Sequence, residues 1–196
     1  MVEASTLRVL VVGGGPVAAR KAARLATAGA RIVVVAPETC AELEVLVGDG
    51  TIAIERRRYE SGDIGDVDLV IAATNDRAVN ATVSADAKRA HRLVNIADVP
   101  GEGGMTFMTA HSTGPLTIAV NAGGVPAAAV QIRNAMAERF DERYAAVLAD
   151  LSRIRRTMLD RGDAQEWRVC SGSLISDDFC DEVESGALKT RMTEWP

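Results

Sequence analysis

The sequence predicts an α/β protein: a doubly wound parallel sheet, then a small α+β region, then a helical C-terminal region. Three observations predict it. Short apolar runs rich in β-branched residues alternate with stretches of helical periodicity over residues 7–98. A glycine turn, Gly13-Gly14-Gly15-Pro16-Val17-Ala18, follows the first of these runs without a gap. Beyond Tyr144 the apolar residues recur at helical spacing instead. The expected division is 1–104 for the sheet domain, 105–143 for the α+β region and 144–196 for the helical region.

Leu7, Val9, Leu10, Val11 and Val12 form the first run, suited to a strand covered on both faces. Ala18, Ala22, Leu25 and Ala26 then mark a helix, with Gly29 as its C-cap. The turn between them fits G-x-G-x-x-A, the Rossmann-like dinucleotide pattern. Gly13 allows the tight turn, Gly15 lets a pyrophosphate approach the backbone, and Ala18 lets the helix lie close to the strand. The positive end of the helix then faces the phosphates. Such turns also serve packing alone, but the strand before and the helix after favour nucleotide binding.

Arg31 to Ala36 is the second strand. Glu38 follows it, where a site for NAD often carries an acid that bonds the ribose hydroxyls. Pro37 intervenes, so Glu38 reads equally well as a solvated acid before a helix over Cys40 to Val47. Thr51 to Glu55 alternates as a third strand, and Arg56, Arg57 and Arg58 after it read as a solvated edge or a face for an anion. Val67 to Ala73 is a fourth, buried strand. It delivers Ala73 and Thr74 to the carboxyl edge, where open α/β sheets place ligands. A helix is expected over Asn80 to Ala90, and a fifth strand over Leu93 to Ile96 with Asp98 just beyond it.

After Asp98 the pattern changes. Val99 to Gly104 reads as a loop, and Met105 to Ala110 and Leu116 to Val120 as two strands around His111-Ser112-Thr113-Gly114. Asn121 to Pro126 is a second glycine-rich turn, and a helix is expected from Ala127 to about Phe140. Tyr144, Val147, Leu148, Leu151, Ile154 and Met158 form an apolar stripe that suits a core or a dimer surface. One or two short helices are expected between Trp167 and Pro196.

The formal charge of −5 argues against general nucleic-acid binding, which calls for a basic face. No stretch has the length and purity of a membrane span, and the start does not read as a signal peptide. Cys40, Cys170 and Cys180 are an odd number with no C-x-x-C pair, which fits reduced thiols in the cytoplasm. His91 and His111 are far from them in sequence, so no metal site is expected.

Several strings together are more specific than the glycine turn. They are Val11-Val12-Gly13-Gly14-Gly15-Pro16-Val17-Ala18-Ala19-Arg20-Lys21, Ala28-Gly29-Ala30, Val35-Ala36-Pro37, Arg58-Tyr59, Ile71-Ala72-Ala73-Thr74-Asn75-Asp76, Val79-Asn80 and Val94-Asn95-Ile96-Ala97-Asp98. In this order the chain resembles the precorrin-2 dehydrogenase family, which includes the N-terminal part of bifunctional siroheme synthases. The resemblance is close over 7–98 and looser to about 161. It implies NAD-dependent oxidation of precorrin-2 to sirohydrochlorin, on the way to sirohaem or cobalamin, by a homodimer. It puts cofactor contacts on Pro16, Val17, Pro37 and Glu38, and the family's key aspartate on Asp98. A carboxylate at a strand's carboxyl edge suits proton transfer or orientation of the ring. Asp98 also reads as a turn former before Val99-Pro100.

The substrate implied is a polycarboxylate tetrapyrrole, so an acidic protein needs a local basic surface. Arg133, Arg139, Arg153, Arg155 and Arg156 are candidates, because Arg pairs bidentately with carboxylates. The chain departs from the family pattern where the macrocycle is expected. Val125 stands where the family often has serine, Val130 replaces a common arginine, and Gly101 to Met108 lacks the usual segment ending in F-P. Metal insertion into sirohydrochlorin, and a non-catalytic tetrapyrrole- or nucleotide-binding role, are the alternatives.

Overall fold

The computed structural model describes residues 2–47 and 50–193. They fall into two compact units that meet in sequence at Phe107 and Met108.

The first unit is a five-stranded parallel sheet with strands β1 (Arg8–Val12), β2 (Arg31–Val35), β3 (Ile52–Glu55), β4 (Leu69–Ala72) and β5 (Leu93–Ile96). Their order is β3-β2-β1-β4-β5. The order reverses direction between β1 and β4, so the crevice beyond their carboxyl ends is the topological switch point. Both faces of β1 are buried. Val9 and Val11 pack with Ile32, Val34, Leu69 and Ile71 beneath Ala18, Ala22 and Leu25 of helix α1 (Pro16–Thr27) and Leu43 of the short helix α2 (Ala41–Val45). Leu10 and Val12 face the other way, onto Val70, Ala72, Val94, Ile96 and the Val83 and Ala87 of helix α3 (Arg77–Arg89). This two-sided covering is why the strands read as continuous apolar runs.

Two boundaries differ from the expectation for physical reasons. Helix α3 starts at Arg77 and not at Asn80, because Asp76 caps it: Asp76 Oδ1 accepts the N–H of Ala78 at 2.8 Å and that of Val79 at 3.3 Å. The expected strand over Met105 to Ala110 starts later. Met105 and Phe107 pack against the sheet's core instead, and the Met105 N–H donates to the Val94 carbonyl at the edge of β5. Gly103 permits that approach, since a β-carbon there would lie 2.7 Å from the Val94 oxygen.

The second unit begins with an antiparallel hairpin, β6 (Thr109–Thr113) and β7 (Leu116–Val120). His111, Ser112 and Thr113 lie within β6. The loop is only Gly114-Pro115, and Gly114 takes φ +52° at its first position. Helix α4 (Pro126–Arg139) packs on the hairpin, followed by α5 (Glu142–Asp160), α6 (Ala164–Leu174), α7 (Phe179–Ser185) and α8 (Ala187–Thr193). Tyr144, Val147 and Leu151 of α5 form a core with Leu174, Val183, Leu188 and Met192, and Leu148 and Ile154 pack against it. Most of the apolar stripe is thus spent inside this unit. Three helices, not one or two, occupy 164–193; Trp195 and Pro196 lie outside the described residues.

Asp86 on α3 is buried and serves the fold. It accepts hydrogen bonds from Ser61, from Tyr59 Oη at 2.9 Å and from Arg89 at 2.9 Å, tying the segment after β3 to α3. These donors, the Ser61 bond foremost, hold its carboxyl below the usual range. A carboxyl depressed in the folded state stabilises above its unfolded pKa, and that stability is lost as pH falls through the lower folded value. Asp86→Asn should therefore cost about 2 kcal/mol in urea unfolding at pH 7, the worth of bonds to a charged acceptor. The gap to wild type should narrow below about pH 4; a gap independent of pH refutes the assignment.

Candidate functional site

The glycine turn is clamped between two strand exits. Gly13 has φ +121°, and a β-carbon on it would stand 2.4 Å from the Ala73 carbonyl oxygen. Its N–H donates to the Val35 carbonyl at 3.0 Å. A β-carbon on Gly14 would stand 1.9 Å from the Glu38 carbonyl oxygen, and the Gly14 carbonyl accepts the Cys40 N–H at 2.8 Å. Gly15 differs, with nothing within 4 Å of its β-carbon position. It is the N-cap of α1, no side chain caps that end, and Pro16 at the first helical position has no N–H to satisfy. An anion can therefore reach the backbone at the positive end of α1. Ala18 is fully buried and lets the helix lie on the sheet. Gly13 and Gly14 frame the turn, and Gly15, Pro16 and Val17 present the face that fits a dinucleotide pyrophosphate.

Pro37 and Glu38 lie in the bend after β2, both exposed. The Glu38 carbonyl faces Gly14 while its side chain stays in solvent, so this one residue both packs the turn and presents a carboxylate beside it. Ala73 packs under Gly13, and Thr74 follows at the exit of β4.

Asp98 stands two residues beyond β5, half exposed. It is held from α3. Asn80, fully buried, donates from Nδ2 to Asp98 Oδ1 at 3.2 Å and to the Thr74 carbonyl at 3.1 Å, while its Oδ1 accepts the Thr74 N–H at 3.1 Å and hydroxyl at 2.8 Å. Arg77, on the first turn of α3, places Nε 3.9 Å from Asp98 Oδ2 and pairs with Glu102 of the following loop. The Glu102 carboxylate keeps the guanidinium charged more firmly than usual. Nearby, Lys21 of α1 donates to Asn95 Oδ1 at 2.7 Å, and Asn95 Nδ2 donates to the Met105 carbonyl at 2.9 Å. The Lys21 ammonium lies 4.9 Å from the centre of the Phe107 ring. Burial, then Arg20 and Arg24, lowers the pKa of Lys21. These contacts fasten the loop after Asp98 to α1 and β5.

The structure thus gathers Gly13, Gly14, Gly15, Pro16, Val17, Pro37, Glu38, Ala73, Thr74 and Asp98 at one edge of the first unit. The sequence assigns no role to Asn80, Arg77, Lys21 or Asn95. Asn80, Lys21 and Asn95 stand in the quoted strings, so the signal was present, but nothing in the strings shows that their side chains are held inward. The five arginines named above lie in the second unit. Arg139 is bound to Glu184 at 2.7 Å and Arg153 to Asp150 at 2.9 Å. Arg155 and Arg156 are exposed and make no ion pair among the described residues. Val125 is the N-cap of α4 and gives it no side-chain cap. His111 Nε2 bonds the Phe140 carbonyl at 2.8 Å. Among the described residues no group of three or more His, Cys, Asp or Glu is placed to hold a metal ion.

The chain is similar to known proteins. The chain is 37% identical over 180 residues to a siroheme synthase of Ectopseudomonas mendocina (strain ymp), covering 91% of this chain and 38% of that protein. It is 47% identical over 117 residues to a siroheme synthase of Pseudomonas fluorescens (strain Pf0-1), 60% of this chain and 25% of that one. The chain therefore spans well under half the length of these relatives. A solved structure described as SirC, precorrin-2 dehydrogenase, superposes with a TM-score of 0.73 at 26% identity, over all of this chain and 98% of the other. A family model described as "Putative NAD(P)-binding" matches residues 1–109, more than half of the chain, and the chain belongs to that family.

Proposed function

We propose that this chain is an NAD-dependent precorrin-2 dehydrogenase, forming sirohydrochlorin in tetrapyrrole synthesis. The observation that carries the reading is an open helix N-terminus at Gly15 on the same sheet edge as a tethered carboxylate, Asp98. The match to a structure described as precorrin-2 dehydrogenase over its whole length supports the substrate.

Bound NAD supplies a two-electron acceptor for hydride. The residues of the chain do the rest. Gly15, Pro16 and Val17 receive the pyrophosphate against the dipole of α1. Glu38 offers its carboxylate to the ribose hydroxyls, which favours NAD over a 2′-phosphorylated nucleotide. Oxidation that releases hydride also releases a proton, and Asp98 accepts it or orients the ring nitrogen that loses it. Arg77 beside Asp98 supplies a local cation for a polycarboxylate on an acidic chain.

We place the protein in the cytoplasm as a homodimer. Three free cysteines and the lack of any membrane-crossing helix among the described residues accord with that compartment. The hairpin supports the dimer: Ala110, Ser112, Thr117 and Ala119 form an outward face of small exposed residues, and α4 exposes Val130 and Ile132. Light scattering at micromolar concentration should give twice the chain mass; the mass of one chain argues against it.

Asp98→Ala should lower turnover of precorrin-2 by about 100-fold or more in an anaerobic assay that follows sirohydrochlorin and NADH together. Calorimetry should show NAD binding unchanged, and full turnover in this variant rejects the role given to Asp98. The glycines should separate fold from ligand. Gly13→Ala should cost about 3 kcal/mol through a forbidden φ and a backbone clash. Gly15→Ala meets nothing, so its melting temperature should hold while NAD affinity drops about tenfold, or ~1.4 kcal/mol. Equal NAD affinity in Gly15→Ala and wild type removes the pyrophosphate from this turn.

A further inference from the structure

One fully buried polar side chain has no part in the chemistry described so far. Asn80 sits on α3, and all of its partners lie on the exits of β4 and β5. An asparagine amide has two donor hydrogens and two acceptor lone pairs. Here Oδ1 takes the Thr74 N–H and shares the Thr74 hydroxyl with the Asp76 carbonyl, and Nδ2 gives to the Thr74 carbonyl and Asp98 Oδ1. The reverse orientation would set Nδ2 against the Thr74 N–H. It would also set Oδ1 against a carbonyl and a carboxylate. Leaving such groups unmatched in a buried place costs about 1–3 kcal/mol each, so the amide has one orientation.

The consequence falls on Asp98. Oδ1 is taken by Asn80, whereas Oδ2 has no hydrogen bond among the described residues and only Arg77 Nε at 3.9 Å. We propose that Asn80 is the positioning residue for Asp98, fixing Oδ1 so that Oδ2 is the atom offered to the substrate proton. The proposal rests on the reading of Asp98 given above. Asn80 touches no substrate; it acts by removing the rotational freedom of a loop carboxylate. A 1 Å misplacement of such a group costs about 100-fold in rate.

The test uses the whole chain with Asn80→Ala, Asp98→Asn and the double variant, read by steady-state kinetics with precorrin-2 and NAD. The Asp98 carboxyl carbon is followed by NMR in carbon-13-labelled protein without cofactor. Asn80→Ala should lower kcat about 100-fold while KM for NAD stays within about twofold, and it should move the Asp98 carboxyl resonance. The double variant should be no slower than Asp98→Asn alone, because one side chain works through the other. Losses that multiply, an unmoved resonance, or a KM for NAD that rises in place of the kcat effect each overturn the proposal. Should Asn80→Ala fail to fold, Asn80→Ser keeps a polar group on the β-carbon that is one bond too short to reach Asp98 and adds no charge, so the same outcomes apply. Full turnover in Asp98→Asn, with the resonance still moved by Asn80→Ala, overturns the reading of Asp98 and leaves the contact standing.

Discussion

Backbone meeting backbone at the carboxyl end of β1 is the constraint on which the rest of the first unit depends. Two carbonyl oxygens, those of Ala73 and Glu38, come so close to Gly13 and Gly14 that no side chain fits between them. That contact draws three consecutive strand exits together, and it can form only because the turn residues lack β-carbons. The helix that follows must then start at once, which puts its uncapped end at the switch point of the sheet. Packing and access are here one device: two glycines are consumed by the fold so that the third stays open.

The legible part of the molecule was the part governed by hydrophobic period and backbone sterics. Val9 to Val12 and Leu69 to Ala72 are buried on both faces, and their runs announced a parallel sheet. The glycine turn announced the tight backbone contact at the carboxyl edge for the same reason. The less legible features depend on single polar contacts. The start of α3 turned on Asp76, whose capping bonds begin the helix three residues before Asn80. The hairpin turn was placed too early because Met105 and Phe107 look like strand residues yet pack on a different core. Asn80 and Asn95 could not be sorted from surface asparagines, since burial of an amide depends on partners that lie far apart in the chain.

Charge follows a similar rule. The chain carries many arginines, yet most of those in contact are neutralised locally: Arg57 by Asp63, Arg56 by Glu44, Arg139 by Glu184. Such exposed pairs contribute little to stability. Their effect is to keep the surface from presenting one broad basic field. At the sheet edge, Arg77 is shared between Glu102 and Asp98. Two carboxylates of the chain thus compete for one guanidinium at this edge.

The loop after Asp98 also closes the sheet. A parallel sheet has two open edges, each a row of unpaired amides that another chain can extend. At β5 the Met105 N–H takes the Val94 carbonyl, and Asn95 holds the Met105 carbonyl in return. At the opposite edge, β3 is four residues long and runs directly into Arg56, Arg57 and Arg58. One border is thus met by the chain's own backbone, and the other is short and ends in paired charges. The sheet is consequently a poor template for strand addition.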